Sequence, residues 1–403
     1  MIKEKIKVGI IGVGNCCKAL IEGVSKLQDV KDNDIPGIMI SNIGGYFPGD
    51  IEFVAAWDID KRKVYKPLDK AIKAKPNCAM ELKEDVSNVT TGTLVRKGPV
   101  LDGFPIHMLD YPDDKAFRVD NTMREDTKED IIHELKTKGV EILLNYLPVG
   151  SAETTKFYME AAIEAKVAVV NCIPEFIASN PEWEQKFIDA GIPIIGDDVR
   201  SQIGASIISA KLQEMLFQRG HEVTLHLQNN IGGNCDFLNM QDQSRLSSKK
   251  ISKENVIKKQ NELAGKDIIK DTIHAGPAQY FPALGDNKRA QFVIKAEGFC
   301  GTPLEFTADL NCWDSSNSAG IAIDAIRLLK VAKEMGIVGA LHGASAATKK
   351  SPPIDMSTNT AMQECKALAN RELTDFTKVQ LAKNNPDAKK LVSYFEDLAK
   401  KLR

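Results

Sequence analysis

Long apolar runs are missing from this 403-residue chain: no stretch approaches the ~18 consecutive apolar residues of a membrane span. An excess of either charge is missing as well. Lys and Arg number 53 against 55 Asp and Glu, a formal charge of −2. The cationic field that nucleic acid or a membrane surface requires is therefore absent, and neither is expected as a partner. The eight cysteines, at 16, 17, 78, 172, 235, 300, 312 and 365, form no CxxC pair and no Cys/His spacing that closes a zinc site, so they read as free thiols. The sequence enters its first apolar strand with no signal-peptide core ahead of it, which together with the thiols predicts a reducing cytoplasm. Internal repeats and low-complexity tracts are also lacking. What remains is ordinary globular composition, 43% apolar and 27% charged, in a chain long enough for two or three domains with their own cores.

Strand and helix patterns alternate through the first half. Residues 7–11 read as a buried strand, 15–27 as a helix after a glycine turn, and 52–58 as a second strand ending in an acid. A polar segment, 28–50, separates them, and residues 61–128 give no clear pattern. Alternation resumes with strands at 141–147, 167–172 and 192–195 and helices at 151–166, 181–191 and 201–219. Such alternation implies a parallel sheet covered on both faces. Beyond Arg219, longer strands at 222–229, 290–296 and 304–313 predict a second, largely antiparallel sheet. An apolar helix at 318–336 is expected to return to the first domain, and residues 388–402 have amphipathic helical spacing in a Lys-rich tail.

Gly12-Val13-Gly14 follows a strand and opens a helix, the setting in which backbone amides and a helix N-terminus meet a pyrophosphate. An ordinary tight turn would look the same. The third small position is Cys17, so the fingerprint is imperfect. Asp58 ends the second strand farther along than the roughly 20 residues of a compact fingerprint, with the 28–50 insertion in between. It is either a strand-end cap or the acceptor for ribose hydroxyls, and an acid there would repel a 2′-phosphate, favouring NAD over NADP. Asn15 and Cys16 begin the helix, and Pro148, Gly150 and Ser151 join another strand to another helix at the edge where such sheets bind ligands.

The strand at 192–195 ends in Gly196-Asp197-Asp198, acids that suit either a helix cap or a site. Later motifs are GGNCDFLN at 232–239, SKKISK at 248–253, GDNK at 285–288, WDSSNSAG at 313–320 and KSPP at 350–353. A single lysine is usually a solvated surface charge, the reading taken for Lys250, Lys258, Lys259 and Lys349. Lys249 and Lys253 share one face if their segment is helical, and like charges held together lower each other's pKa, which frees an amine for proton transfer.

With these motifs in colinear order over about residues 6–353, including GVGNC, FVAAWD, NYLPVGS and GDDVRSQIGA, the chain resembles the myo-inositol-1-phosphate (inositol-3-phosphate) synthase family, particularly its bacterial and archaeal forms. The resemblance implies an α/β fold: a Rossmann-type doubly wound sheet over 1–200, completed by 314–403, and an α+β catalytic and tetramerisation domain over 201–313. It implies NAD as cofactor and conversion of D-glucose 6-phosphate to an inositol monophosphate, by oxidation at carbon 5, enolisation, aldol closure onto carbon 1 and re-reduction. It also implies Lys249, Lys253, Lys288 and Lys350 as catalytic lysines, with Asp198, Asp236 and Asp314 as their carboxylates and Asp197 and Asp198 near the cofactor. In this scheme Lys288 and Lys249 act near carbon 5, while Lys253 and Lys350 support the carbon 1 oxygen or the phosphate. Asp236 and Asp314 orient lysines. Arg200 stands where many relatives have Lys, which keeps a charge but removes a proton carrier.

A homotetramer follows from the resemblance alone, and a divalent or monovalent cation is left open, with no metal residue assigned. Two other readings remain: an NAD-dependent sugar-phosphate or polyol dehydrogenase that releases NADH, and a non-catalytic NAD-sensing module. Neither needs so many lysines and acids on separate motifs.

Overall fold

The structure is a computed structural model that describes residues 4–245, 247–268 and 272–382; the amphipathic segment at 388–402 lies outside these. Seven parallel strands build the first sheet: β1 (Ile6–Ile11), β2 (Ile51–Asp58), β3 (Val95–Lys97), β4 (Ile142–Asn145), β5 (Ala168–Asn171), β6 (Pro193–Ile195) and, from much later in the chain, β11 (Gly339–Ala340). Their order is β11-β6-β5-β4-β1-β2-β3. The direction of winding therefore reverses between β1 and β4, and the carboxyl edge at that switch point is where open α/β sheets bind ligands. Short strands suffice because both faces are covered. Ile6, Val8 and Ile10 enter one apolar core with the Asn15–Lys26 and Asp314–Glu334 helices, while Ile11, Trp57, Leu143 and Val169 enter the other.

The insertion at 28–50 is tied to the Asp314–Glu334 helix by a fully buried ion pair. Arg327 bonds Asp324 at 2.5 Å and also donates to the Ser41 carbonyl at 2.7 Å, while Asp324 accepts from the Met39 amide. That helix starts at Asp314, four residues before the expected point, because Ser315 and Ser318 are buried at the site rather than exposed in a loop. The helix expected from residue 201 starts at Ala205, since the Gln202 amide bonds the Asn317 carbonyl and holds 201–204 as a turn.

The second sheet has the order β10-β9-β7-β8, from β7 (Glu222–Gly232), β8 (Ile273–Tyr280), β9 (Asn287–Glu297) and β10 (Pro303–Trp313). β9 runs antiparallel to both neighbours, and β7 and β8 are parallel, so the sheet is mixed with an antiparallel majority. One face carries Ala290, Phe292, Ile294 and Ala296 against the Ala205–Gln218 helix. β10 alternates strictly between half-buried and exposed residues, as a sheet covered on one face should. The Ser247–Leu263 helix packs against the Ala205–Gln218 helix and β8, and it carries the SKKISK segment on its first turns.

Candidate active site

Two adjoining cavities occupy the junction of the sheets. The first is lined by Gly12, Gly14, Asn15, Cys16, Asp58 and Pro148, among others. Gly12 has φ +90°, and a Cβ there would lie 2.4 Å from the Tyr146 carbonyl oxygen, so only glycine lets β1 turn under the neighbouring strand. A Cβ on Gly14 would meet nothing within 4 Å: it would project into open space at the N-terminus of the Asn15–Lys26 helix. Tyr146 also lines this cavity, with its hydroxyl buried and without a hydrogen-bond partner among the described residues.

Asp58 accepts from the Val13 amide at 2.8 Å through Oδ2, and from the Ile59 and Asp60 amides through Oδ1. Lys63 stands 3.9 Å from the same Oδ2 and donates to the Val13 carbonyl at 2.8 Å. The carboxylate thus fixes the glycine turn, and Asp58 also lines the cavity, so a role in the turn does not exclude one toward a ligand. Val13 serves the turn through its amide. Gly150 and Ser151 shape the neighbouring loop instead of lining the cavity. A Cβ on Gly150 would approach Arg245 to 2.8 Å, and Ser151 donates to the Pro148 carbonyl at 2.7 Å.

Asp197 corrects the sequence reading. Its fully buried carboxylate accepts from the amides of Ile177, Ala178 and Ser179 and from the side chains of Asn171 and Ser179, so it closes a loop and faces neither cavity. Asp198, also fully buried, accepts from Lys350 Nζ at 3.0 Å, and that ammonium donates again to the Val199 carbonyl at 2.8 Å.

The second cavity collects residues from distant motifs: Arg200, Ser201, Gly204 and Ala205, then Asp236, Lys253, Lys288, Asp314 and Lys350. Asp236, Asp314, Cys16 and Val199 belong to both cavities and mark their boundary. Lys288 and Asp314 form an ion pair across β9 and the start of the Asp314–Glu334 helix. Asp236 makes no ion pair with a described residue. The side chain of Lys249 lies outside the described residues. Lys349 was expected on the surface, yet it is fully buried with Nζ 3.4 Å from Cys172 Sγ. It lies next to Lys350 in an extended segment paired with Val199, so the two side chains point opposite ways.

Asp286 belongs to the GDNK motif, where only Lys288 is assigned a role from the sequence. Its buried carboxylate accepts from the Ser315 hydroxyl at 2.6 Å, the Ser315 amide at 3.1 Å and Asn234 Nδ2 at 3.2 Å. Burial, with the neighbouring Asp314 carboxylate, pushes its pKa up to about 6. A raised carboxyl favours the fold when protonated, so its contribution is complete at low pH and is lost as the pH rises through about 6. The expected result is that the wild type loses roughly 2–3 kcal/mol relative to Asp286→Asn between about pH 4 and pH 7. Denaturant unfolding of both proteins across that range measures it, and parallel curves would remove Asp286 as the titrating group.

Among the described residues no group of three His, Cys, Asp or Glu side chains is arranged to hold a metal ion, and no helix is long and apolar enough to cross a membrane.

A family profile described as myo-inositol-1-phosphate synthase matches residues 204–315, the segment that carries most of the second cavity. The chain is 42% identical over 373 residues to the inositol-3-phosphate synthase of Corynebacterium glutamicum, covering 91% of this chain and 99% of that one. It is 40% identical over 363 residues to the inositol-3-phosphate synthase of Mycolicibacterium smegmatis, covering 89% and 96%. The crystal structure of a myo-inositol-1-phosphate synthase-related protein from Thermotoga maritima superposes with a TM-score of 0.75 at 24% identity, over 92% of this chain and 100% of that one, a likeness of fold.

Proposed function

The chain belongs to the myo-inositol-1-phosphate synthase family, and from that premise we propose how its two cavities divide the work. The activity is the cyclisation of glucose 6-phosphate to an inositol phosphate, with NAD as cofactor. The observation that carries the site assignment is the boundary of Asp236, Asp314 and Cys16 shared by a glycine-turn cavity and a lysine-lined one.

The first cavity fits a dinucleotide. Gly14 leaves open space at a helix N-terminus, Asp58 lines the cavity, and the buried Tyr146 hydroxyl has no hydrogen-bond partner among the described residues. Gly12, Gly14, Asn15, Cys16, Asp58 and Pro148 would hold it. NAD bound there supplies a hydride acceptor and donor, which a net redox-neutral cyclisation needs in turn. Val13, Gly150 and Ser151 act by shaping the walls.

In the second cavity, the N-terminus of the Ala205–Gln218 helix and Lys253 suit the phosphate, since free amides and an ammonium converge on it. Lys350, fixed by Asp198 and the Val199 carbonyl, is a rigid donor for the carbon 1 oxygen as aldehyde becomes alkoxide. Lys288 handles the proton at the carbon 5 hydroxyl. Asp314 holds its Nζ in place at the second cavity. Lys249 joins this group, and Asp236, at the boundary, orients the lysine nearest it. The domain reading, 1–200 with 314–403 around the cofactor and 201–313 around the substrate, is part of the same proposal, as is a homotetramer, which sedimentation equilibrium tests.

The functional test is incubation of the protein with glucose 6-phosphate and catalytic NAD, followed by phosphorus and proton NMR and by nicotinamide absorbance. Many turnovers of inositol phosphate per NAD, without lasting NADH, are expected. Stoichiometric NADH without a cyclic product would be the result of a simple dehydrogenase and would overturn the reading.

A further inference from the structure

The loop at 148–151, which walls the first cavity, is gripped by side chains from residues 237–245. Val149 packs in a small apolar cluster with Phe237 and Met240. Its carbonyl accepts from Asn239 Nδ2 at 2.9 Å and from Arg245 Nε at 3.0 Å. Pro148 and Val149 line the first cavity, while Phe237 and Met240 line the second, so this contact is a partition between the two.

Arg245 reaches beyond this loop. Its side chain lies along the bare face of Gly150, where a Cβ would come within 2.8 Å of the Arg245 Cβ. Nη1 donates to the Asp102 carbonyl at 2.8 Å and Nη2 to Ser151 Oγ at 3.3 Å. Asp102 in turn caps the Ala152–Ala165 helix, its carboxylate accepting from the Glu153 and Thr154 amides at 2.8 and 2.9 Å. Val100 and Gly103, on either side of Asp102, line the first cavity. One guanidinium therefore fastens two loops around that cavity. All three of its acceptors are uncharged, so the planar fork sets geometry instead of neutralising a charge. Arg245 also ends the Gln243–Arg245 turn, which is followed by the Ser247–Leu263 helix that carries Lys253 to the second cavity. The walls of one cavity and the lysine helix of the other thus meet at a single side chain.

We propose that Arg245 is a positioning residue that couples the two cavities, so that cofactor in the first favours the placement of the Lys253 helix that binds sugar phosphate in the second. This rests on the reading of the cavities as cofactor and substrate sites. A cofactor seated against the 148–151 wall fixes the acceptors of Arg245, and less ordering then remains when the sugar phosphate arrives. Coupling of this kind is reciprocal: each ligand tightens the other by the same factor.

The test uses NADH with glucose 6-phosphate, because the reduced cofactor cannot accept a hydride and the complex does not react. Nicotinamide fluorescence gives the NADH Kd without and with saturating glucose 6-phosphate, and calorimetry gives the glucose 6-phosphate Kd without and with NADH. In the wild type each ligand should tighten the other by about fivefold or more. Arg245→Met keeps an unbranched apolar stem and removes all three donors, and its factor should fall below about twofold. Arg245→Lys, which offers one ammonium to two loops, should lie between the two. A role in the fold alone would weaken both ligands and leave the factor unchanged, so the factor is the readout and neither Kd by itself. The proposal fails if the wild type shows less than about twofold coupling, or if either variant, once folded, keeps the wild-type factor. Conversion of glucose 6-phosphate by the wild type would then leave the reading of the cavities standing. Should Arg245→Met not fold, Arg245→Lys decides. If glucose 6-phosphate binds neither the free nor the NADH-loaded wild type, that reading and the proposal fall together.

Discussion

Lys288→Ala is expected to lower turnover by on the order of a hundredfold or more while leaving the fold intact. Lys288 sits in β9 opposite Gly232 of β7 and Cys312 of β10, so its backbone is held from both sides whatever its side chain. Its ammonium pairs with Asp314 at the mouth between the two cavities, and the Asp286 carboxyl lies behind that pair. Without the ammonium, the Asp314 carboxylate at the cavity loses this counter-charge, and negative charge developing on a substrate oxygen would meet repulsion where it had met a cation. Removal of one charged donor from a water-poor site commonly costs about 2.7–4 kcal/mol in the transition state. The steady-state rate of inositol phosphate formation and far-ultraviolet circular dichroism make the test, and turnover within threefold of wild type would remove Lys288 from the chemistry. Lys288→Arg then separates two roles. Arginine keeps the charge and does not give up its proton, so a rate as low as that of the alanine variant means that proton transfer is the larger part.

The parallel sheet and its carboxyl edge were legible in the sequence because β1, β2, β4 and β5 are apolar runs separated by helices of the right length. β3 was not, since three residues inside a polar stretch carry no period. β8 contains Gly276-Pro277, which breaks the alternation of a strand; the fold tolerates a proline there because β8 is an edge. Two-residue β11 exists only because Gly339 and Ala340 meet β6 in space. In the site, the motifs that carry lysines and acids could be read, but not what each acid holds. Asp197 and Asp198 are neighbours in sequence with opposite tasks, one closing a loop and the other gripping Lys350, and their partners lie at 171–179 and 350. Lys349 shows the same limit, since whether a lysine pair lies on the surface depends on which strand covers it.

Gly12→Ala and Gly14→Ala should fail in different ways, and the difference tests the cofactor cavity. At Gly12 the positive φ costs an L-residue about 1–2 kcal/mol, and the new Cβ would lie 2.4 Å from one backbone atom of Tyr146 and 2.8 Å from another. Backbone cannot rotate away, so β1 and the strand end at Tyr146 must separate, carrying the Pro148 wall with them. NAD affinity should fall at least about a hundredfold and activity at subsaturating NAD with it, alongside a lower unfolding midpoint without ligand. At Gly14 the backbone is extended, with φ −92°, and the Cβ meets no protein atom within 4 Å. Gly14→Ala should therefore unfold at the wild-type midpoint when NAD is absent. Its methyl group occupies the space through which a pyrophosphate reaches the helix amides, so the stabilisation that NAD gives should shrink. A hundredfold excess of NAD over its Kd stabilises the wild type by about 2.7 kcal/mol, and a tenfold weaker site gives only about 1.4 kcal/mol at the same concentration. Thermal unfolding of the three proteins with and without NAD reads both effects. Should Gly14→Ala keep the full NAD-dependent shift, the dinucleotide does not lie over that helix N-terminus.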